Sequence, residues 1–436
     1  MRTTLTLLGF LGGVALLSAC KASVGSGVFG DGGGGGQGGA NGAGSGNSGG
    51  GSGGQGGDGF DFDGGPGTGS GGPSCTSAPG DDSDKDGFTG LDGDCNDCDP
   101  NVNPNALEVI APPQMDGDTP TPVDENCDGQ IDNVEPPCDI GLSVDDNDPM
   151  SAAKAVDLCH VAAGPKDWGV VSAKWVLADG APAPVGNAAF DLGHGMLSAF
   201  GPNVKVQTGA RMLGLSSGTA RQVTDQGYQS VGGFNKNYTG GSPQGFPKES
   251  PACPNTVTGP PHDAAGVELV VRAPSNANGF SFNFNFYTYE WPGYICSQFN
   301  DFFVALLSPI PAGQTDGNIS FDSQGNPVSV NNAFVEVCGC AATGGPPCVA
   351  GGKTFSCALG NMGLVGTGFQ DQFQDHGSTG WLFTKAPVNP GEEITMRWAV
   401  YDSGDGILDS STLIDNWQWI AEPGTQVGTG TVPTPK

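Results

Sequence analysis

Positive charge is scarce in this chain: 16 Lys and Arg stand against 46 Asp and Glu, a formal net charge of −30 over 436 residues. Nucleic-acid binding needs Lys and Arg to displace counterions from phosphates, so such an acidic chain is not built for it. Long apolar runs are also lacking. The stretch from Leu5 to Leu17 falls short of the roughly 20 residues that a membrane helix needs, which excludes a multi-pass membrane protein. Histidine is rare, and His160, His194, His262 and His376 show neither H-E-x-x-H nor paired spacing, so a zinc hydrolase lacks its ligands. His194 beside Asp191 and His376 beside Asp375 read as surface turns. Gly214-Leu215-Ser216-Ser217-Gly218 satisfies G-x-S-x-G, but that motif carries a nucleophile only at a strand-to-helix elbow. Without alternating strands and helices it reads as a turn. What the chain has in plenty is glycine (77), proline (34) and cysteine (13), a combination that points to an oxidising compartment.

The N-terminus begins with Arg2 and the apolar run, then Leu17-Ser18-Ala19-Cys20, which resembles the lipobox of bacterial lipoproteins. The resemblance implies that residues 1–19 are a cleaved signal peptide and that Cys20 is acylated, with the lipid bilayer as partner. Lys21 is not the Asp that resembles an inner-membrane retention signal, so the expected location is the outer membrane or cell surface of a Gram-negative bacterium. Setting Cys20 aside leaves an even number of cysteines for disulfides. Residues 20–74 are expected to form a disordered tether, because 27 of the 49 residues from Gly25 to Pro73 are Gly and cannot bury enough apolar surface to offset ordering entropy.

Residues 75–137 form an acidic, Cys-containing segment. From Asp81 to Asp139 there are 17 Asp or Glu and a single base, Lys85. Two carboxylates about 4 Å apart repel by roughly 4 kcal/mol at an effective dielectric near 20, so the segment folds only around positive charge. Asp82-x-Asp84-x-Asp86-Gly87 puts three carboxylates on alternate residues, and the glycine lets the Phe88 carbonyl turn back to join them, the opening of a calcium loop. Position twelve is Gly93 rather than Glu, which rejects an EF-hand. Asp92 and Asp94, with Asn96, Asp97 and Asp99 close behind, can complete this site or form a neighbour.

A second loop, Asp124-x-Asn126-x-Asp128-Gly129-x-x-Asp132, resembles that of thrombospondin type 3 repeats, with the Gln130 carbonyl as a further oxygen. Hard oxygen donors at this density suit Ca²⁺. Cys95 and Cys98 lack a second C-x-x-C, so a structural staple from Cys95 to Cys127 is preferred. The segment also resembles the MopE-type metal-binding motif family through Asp82 to Thr89, Gly93 to Asp97, Asn103 to Glu108 and Asp124 to Gly129. Here Val109 and Ile110 replace the Cys that usually follows the Glu, and no His or Met near the acids supports copper.

Residues 138–422 read as a mainly β domain, a jelly-roll-like β-sandwich, followed by a flexible tail at 423–436. Asp148 and Pro149 start one helix over Met150 to Leu158. Val267 to Val271, Gly279 to Tyr287 and Glu393 to Tyr401 alternate apolar and polar residues as strands do. Phe280, Phe282, Phe284 and Phe286 form one aromatic stripe, read as core. Cys138 can pair with Cys159, Cys253 with Cys296 and Cys75 with Cys98, and the four cysteines from Cys338 to Cys357 fit two disulfides.

Tyr289 to Phe303, Ile319 to Asn332 and Trp381 to Asn416 look like the choice-of-anchor L domain of bacterial surface proteins, from about Val170 onward. The resemblance implies an exported, surface-attached module without catalytic activity. Asp415-Asn416 must be satisfied by an ion or by backbone N–H groups, and an ion near Glu290, Asp301 and the loop carrying Asp402, Asp405 and Asp409 competes with a hydrogen-bonded turn, the favoured reading. The expected function is a non-catalytic, calcium-binding surface lipoprotein that adheres to glycan, peptidoglycan or another surface protein. The alternative is a glycoside hydrolase built from Glu290, Asp301 and the Asp402 to Asp409 loop.

Overall fold

The computed structural model describes residues 77–110, 122–184, 186–331, 334–340, 345–370 and 375–432. The lipobox with Cys20, the Gly-rich stretch and Cys75 lie outside them. The strands are β1 (Gly169–Val176), β2 (His194–Leu197), β3 (Ala199–Phe200), β4 (Val204–Lys205), β5 (Met212–Ser216), β6 (Pro261–Arg272), β7 (Gly279–Thr288), β8 (Phe302–Ser308), β9 (Cys348–Ala350), β10 (Lys353–Phe355), β11 (Gly377–Ser378), β12 (Leu382–Pro387), β13 (Glu393–Ser403), β14 (Ser410–Ile420) and β15 (Gly428–Thr431). One antiparallel sheet has the order β1-β6-β13-β8, the other β15-β12-β7-β14-β5-β2. The chain crosses between them at β1 to β2, β5 to β6, β6 to β7, β7 to β8, β12 to β13 and β13 to β14, the jelly-roll-like weave of a sandwich.

Alternation along the strands builds the core. Phe280, Phe282, Phe284 and Phe286 of β7 meet Val267, Leu269 and Val271 of β6 and Met396, Trp398 and Val400 of β13, all fully buried. Trp398 meets Phe282 edge-on at 5.3 Å and Trp417 at 6.0 Å. The other faces of both sheets are covered as well: Tyr287 and Leu413 pack with Phe200 and Phe369, while Ala399 and Tyr401 pack with Phe246 and Phe302. Double coverage explains why β7 buries Asn283 and Asn285 between its phenylalanines. Asn285 answers that burial by donating to Tyr287 Oη at 3.1 Å and accepting from Ser378 Oγ at 2.6 Å.

The predicted helix is present but short. α1 spans Pro149–Lys154, with the Asp148 side chain accepting from Met150 N at 3.0 Å. Gly214, Leu215 and Ser216 lie in β5, so the G-x-S-x-G stretch is a strand end rather than a turn. His194 and His376 are 1% and 0% exposed, not on surface turns; their rings stack on the partly buried Trp175 and Tyr289. The stretch read as a flexible tail contributes β15, which pairs with β12.

The acidic segment and the sandwich belong to one compact unit. Asn276 donates to Leu107 O at 2.8 Å and accepts from Leu107 N at 2.9 Å. Asn105 accepts from Trp168 N, Asn103 accepts from Ser275 Oγ, and Lys166 Nζ donates to Gly87 O while lying over the Phe88 ring. Disulfides join Cys95 to Cys127, Cys138 to Cys159, Cys253 to Cys296, Cys338 to Cys357 and Cys340 to Cys348. Cys98 is also disulfide-bonded.

Candidate metal centres

The two acidic loops are built alike. In the first, Asp82 accepts from Lys85 N at 2.7 Å and Gly87 N at 3.2 Å, Asp84 from Asp86 N at 3.2 Å, and Asp86 from Phe88 N at 2.8 Å. In the second, Asp124 accepts from Asp128 N at 3.1 Å and Gly129 N at 2.9 Å, Asn126 from Asp128 N at 2.9 Å, and Asp128 from Gln130 N at 2.7 Å. The second oxygen of Asp86 is held by the Asn103 amide and that of Asp128 by the Asn133 amide, each at 2.7 Å. Lys85 and Cys127 take matching left-handed conformations, as do Gly87 and Gly129, at φ 97° and 86°. Glycine occupies the last position because side chains there are strained.

Around the first loop, oxygens of Asp82, Asp84 and Asp86 lie within 4.8 Å of one another, and so do those of Asp84, Asp94 and Asp97. Asp94 and Asp97 are buried, at 8% and 7% exposure. One oxygen of Asp84 and one of Asp94 are enclosed without a hydrogen-bond partner among the described residues. Burial raises the pKa of Asp84, Asp86 and Asp94, and neighbouring carboxylates add to the rise. Asp92 stands apart: it is exposed and turns back to accept from Thr89 N and Oγ1.

Near the second loop the tight carboxylate group is Glu108, Glu125 and Asp132, again within 4.8 Å. Glu108 accepts from Asn126 N and Asp132 N, and Glu125 accepts from Val109 N. Asp132 therefore sits with the two glutamates, while Asp124, Asn126 and Asp128 organise the loop backbone. Spacing misses Glu108 and Glu125, because Glu108 is 17 residues from Glu125 and 24 from Asp132 in sequence. The Cys95–Cys127 staple, which draws the two halves of the segment together, is the signal that could have found them.

In the sandwich, Glu290, Asp301, Asp402 and Asp409 are 2%, 1%, 1% and 0% exposed. Glycosidase carboxylates must flank a sugar chain, and carboxylates this enclosed give the hydrolase alternative no support. Asp415 is satisfied by Gln207 N at 2.6 Å and Asn416 N at 2.7 Å. Burial still pushes its pKa up to about 8, with Asp157 adding to the rise.

This weave of strands can be placed by comparison. Residues 213–417 match the choice-of-anchor L domain. The choice-of-anchor L match runs from β5 to β14, takes in both sheets, and starts later than Val170. It marks a surface-associated, non-catalytic kind of module. No curated protein and no solved structure matches the chain. Among the described residues, no helix is long and apolar enough to cross a membrane.

Proposed function

We propose that this protein is a lipid-anchored, calcium-binding adhesin of the outer cell surface: acylated Cys20 holds it to the bilayer, Ca²⁺ fastens the acidic segment, and the choice-of-anchor L sandwich displays a glycan-binding face. The observation that carries the reading is a groove of about 630 Å³ where segment and sandwich meet. Trp168, Trp417 and Trp419 line it on the sandwich side, and Asn126, Asp128 and Asn133 on the side of the second acidic loop. Trp168 and Trp417 are buried beneath the groove and Trp419 is half-buried at it; one accessible aromatic ring with nearby carboxylate and amide groups suits a sugar ring, which needs apolar stacking and hydrogen bonds together. Because the second loop forms one wall, calcium on the segment shapes the groove.

Titration calorimetry of the purified chain is expected to show Ca²⁺ binding at roughly 10⁻⁴ to 10⁻³ M, the range of extracellular modules. Asp84→Asn with Asp94→Asn should weaken it at least tenfold. A polysaccharide panel should then give binding that EDTA and Trp419→Ala each reduce, without new reducing ends. Binding that survives both treatments would remove the groove from the proposal, and turnover would remove the non-catalytic reading.

A further inference from the structure

The geometry points to a second, internal Ca²⁺ site inside the sandwich, held by Asp402 and Asp409 with Asp301 beside them, distinct from the acidic segment. Neither oxygen of Asp409 has a hydrogen-bond partner among the described residues, and Asp402 is reached by the Ser217 hydroxyl and the Asp301 carboxyl without a hydrogen bond of ordinary geometry. Both side chains are enclosed, at 1% and 0% exposure. A carboxylate so placed, unpaired, costs several kcal/mol, and a fold keeps it only with a compensating charge or proton.

The strands bring these groups into one neighbourhood, more loosely than the carboxylates of the acidic segment, whose oxygens lie within 4.8 Å of one another. A bulge in the β13 to β6 ladder between Val400 and Asp402 shifts Asp402 out of the regular alternation, the usual effect of a bulge being to re-aim a side chain. Tyr401 faces Phe302 across β13 and β8, which sets Asp402 next to Asp301. Asp301 is fixed from β14 by Ser410 Oγ at 2.6 Å and lends its N–H to Glu290 at 3.1 Å. Asp409 lies one residue before Ser410, and its carbonyl accepts from Tyr289 N at 3.2 Å. Gly218 leaves room for it, since a Cβ there would fall 1.9 Å from an Asp409 oxygen. Asp402 is the strongest like-charged neighbour of Asp409, and Asp301 of Asp402.

Among the described residues the ammonium acting on Asp409 is that of Lys236, and it is already engaged. Lys236 Nζ donates to Ser216 O at 3.0 Å, while its backbone N–H and that of Tyr238 hold Asp263. One ammonium cannot balance Asp263, Glu290, Asp301, Asp402 and Asp409. Hard carboxylate oxygens suit Ca²⁺ rather than a soft metal.

The test uses the full chain. Crystals of the wild-type protein soaked with a lanthanide in place of Ca²⁺ should give an anomalous peak between Asp402 and Asp409, separate from any peak at Asp82 to Asp97. In solution, an Asp84→Asn/Asp94→Asn/Glu108→Gln/Asp132→Asn chain, with both centres of the acidic segment disabled, should still gain about 5 °C in Tm with Ca²⁺ at a hundred times Kd. Adding Asp409→Asn should remove that gain while metal-free Tm is kept or raised. Lanthanide at the acidic segment with none between Asp402 and Asp409 overturns the site and leaves the segment reading standing. A calcium-dependent Tm gain unchanged by both Asp402→Asn and Asp409→Asn overturns it too, since protons would then neutralise the cluster. Should Asp409→Asn fail to fold, the wild-type anomalous map decides alone.

Discussion

His194 is enclosed in the sandwich, stacked at 3.8 Å on Trp175, with neither ring nitrogen hydrogen-bonded among the described residues. Burial, reinforced by the positive charges of Arg221 and Lys236 and only partly opposed by Asp146, pushes its pKa down to about 3. The fold therefore holds His194 neutral, whereas the unfolded chain protonates it below about 6.5. Its contribution is complete above pH 6.5 and is lost as pH falls toward 3, at about 1.4 kcal/mol per unit. His194→Phe, which keeps the stack, should flatten the acid limb of a Tm-against-pH curve between those values. Asp415 carries the opposite slope: raised to about 8, it favours the fold most below about pH 4 and less as pH rises toward 8. Sequence gives neither shift, because a pKa depends on which groups close around the side chain. The rarity of histidine is visible in the sequence; its enclosure is not.

At the scale of elements, β6, β7 and β13 follow their alternating sequences, and the phenylalanine stripe is core because one sheet face must be buried. Phe282→Ala should cost about 3 to 5 kcal/mol in denaturant unfolding. The loops Asp82–Gly87 and Asp124–Gly129 are equally local, since first-residue carboxylates capping a glycine N–H need only contiguous residues. Contacts between elements are different in kind. Asn276 was one polar residue among many, yet its two hydrogen bonds to Leu107 help dock the acidic segment. Asn276→Leu should cost about 1 to 3 kcal/mol. Amide exchange at Asn103 to Leu107 should then quicken while the protection of β7 and β14 is unchanged.

For the whole molecule, the five disulfides between described cysteines all lie outside the central core: none of their cysteines is among the residues that fill the space between the two sheets. Reduction should therefore leave the near-ultraviolet signal of Trp398 and Trp417 in place while the acidic segment loses exchange protection, at about 2 to 4 kcal/mol per closed loop. A loss of both together would mean that the staples and the sandwich unfold as one. By itself the sequence determined the β class and the two loops of alternating acidic residues, because each rests on period-two patterning or short-range chemistry, and it offered the pairings of Cys95, Cys138 and Cys253 as candidates. Only the tertiary structure decided that Glu108 and Glu125 join Asp132, that segment and sandwich form one unit, and that Asp402 and Asp409 are shut inside it. Those outcomes depend on strand register, a bulge and packing between residues tens to hundreds of positions apart, where the energy of a contact is set by neighbours that no local pattern names.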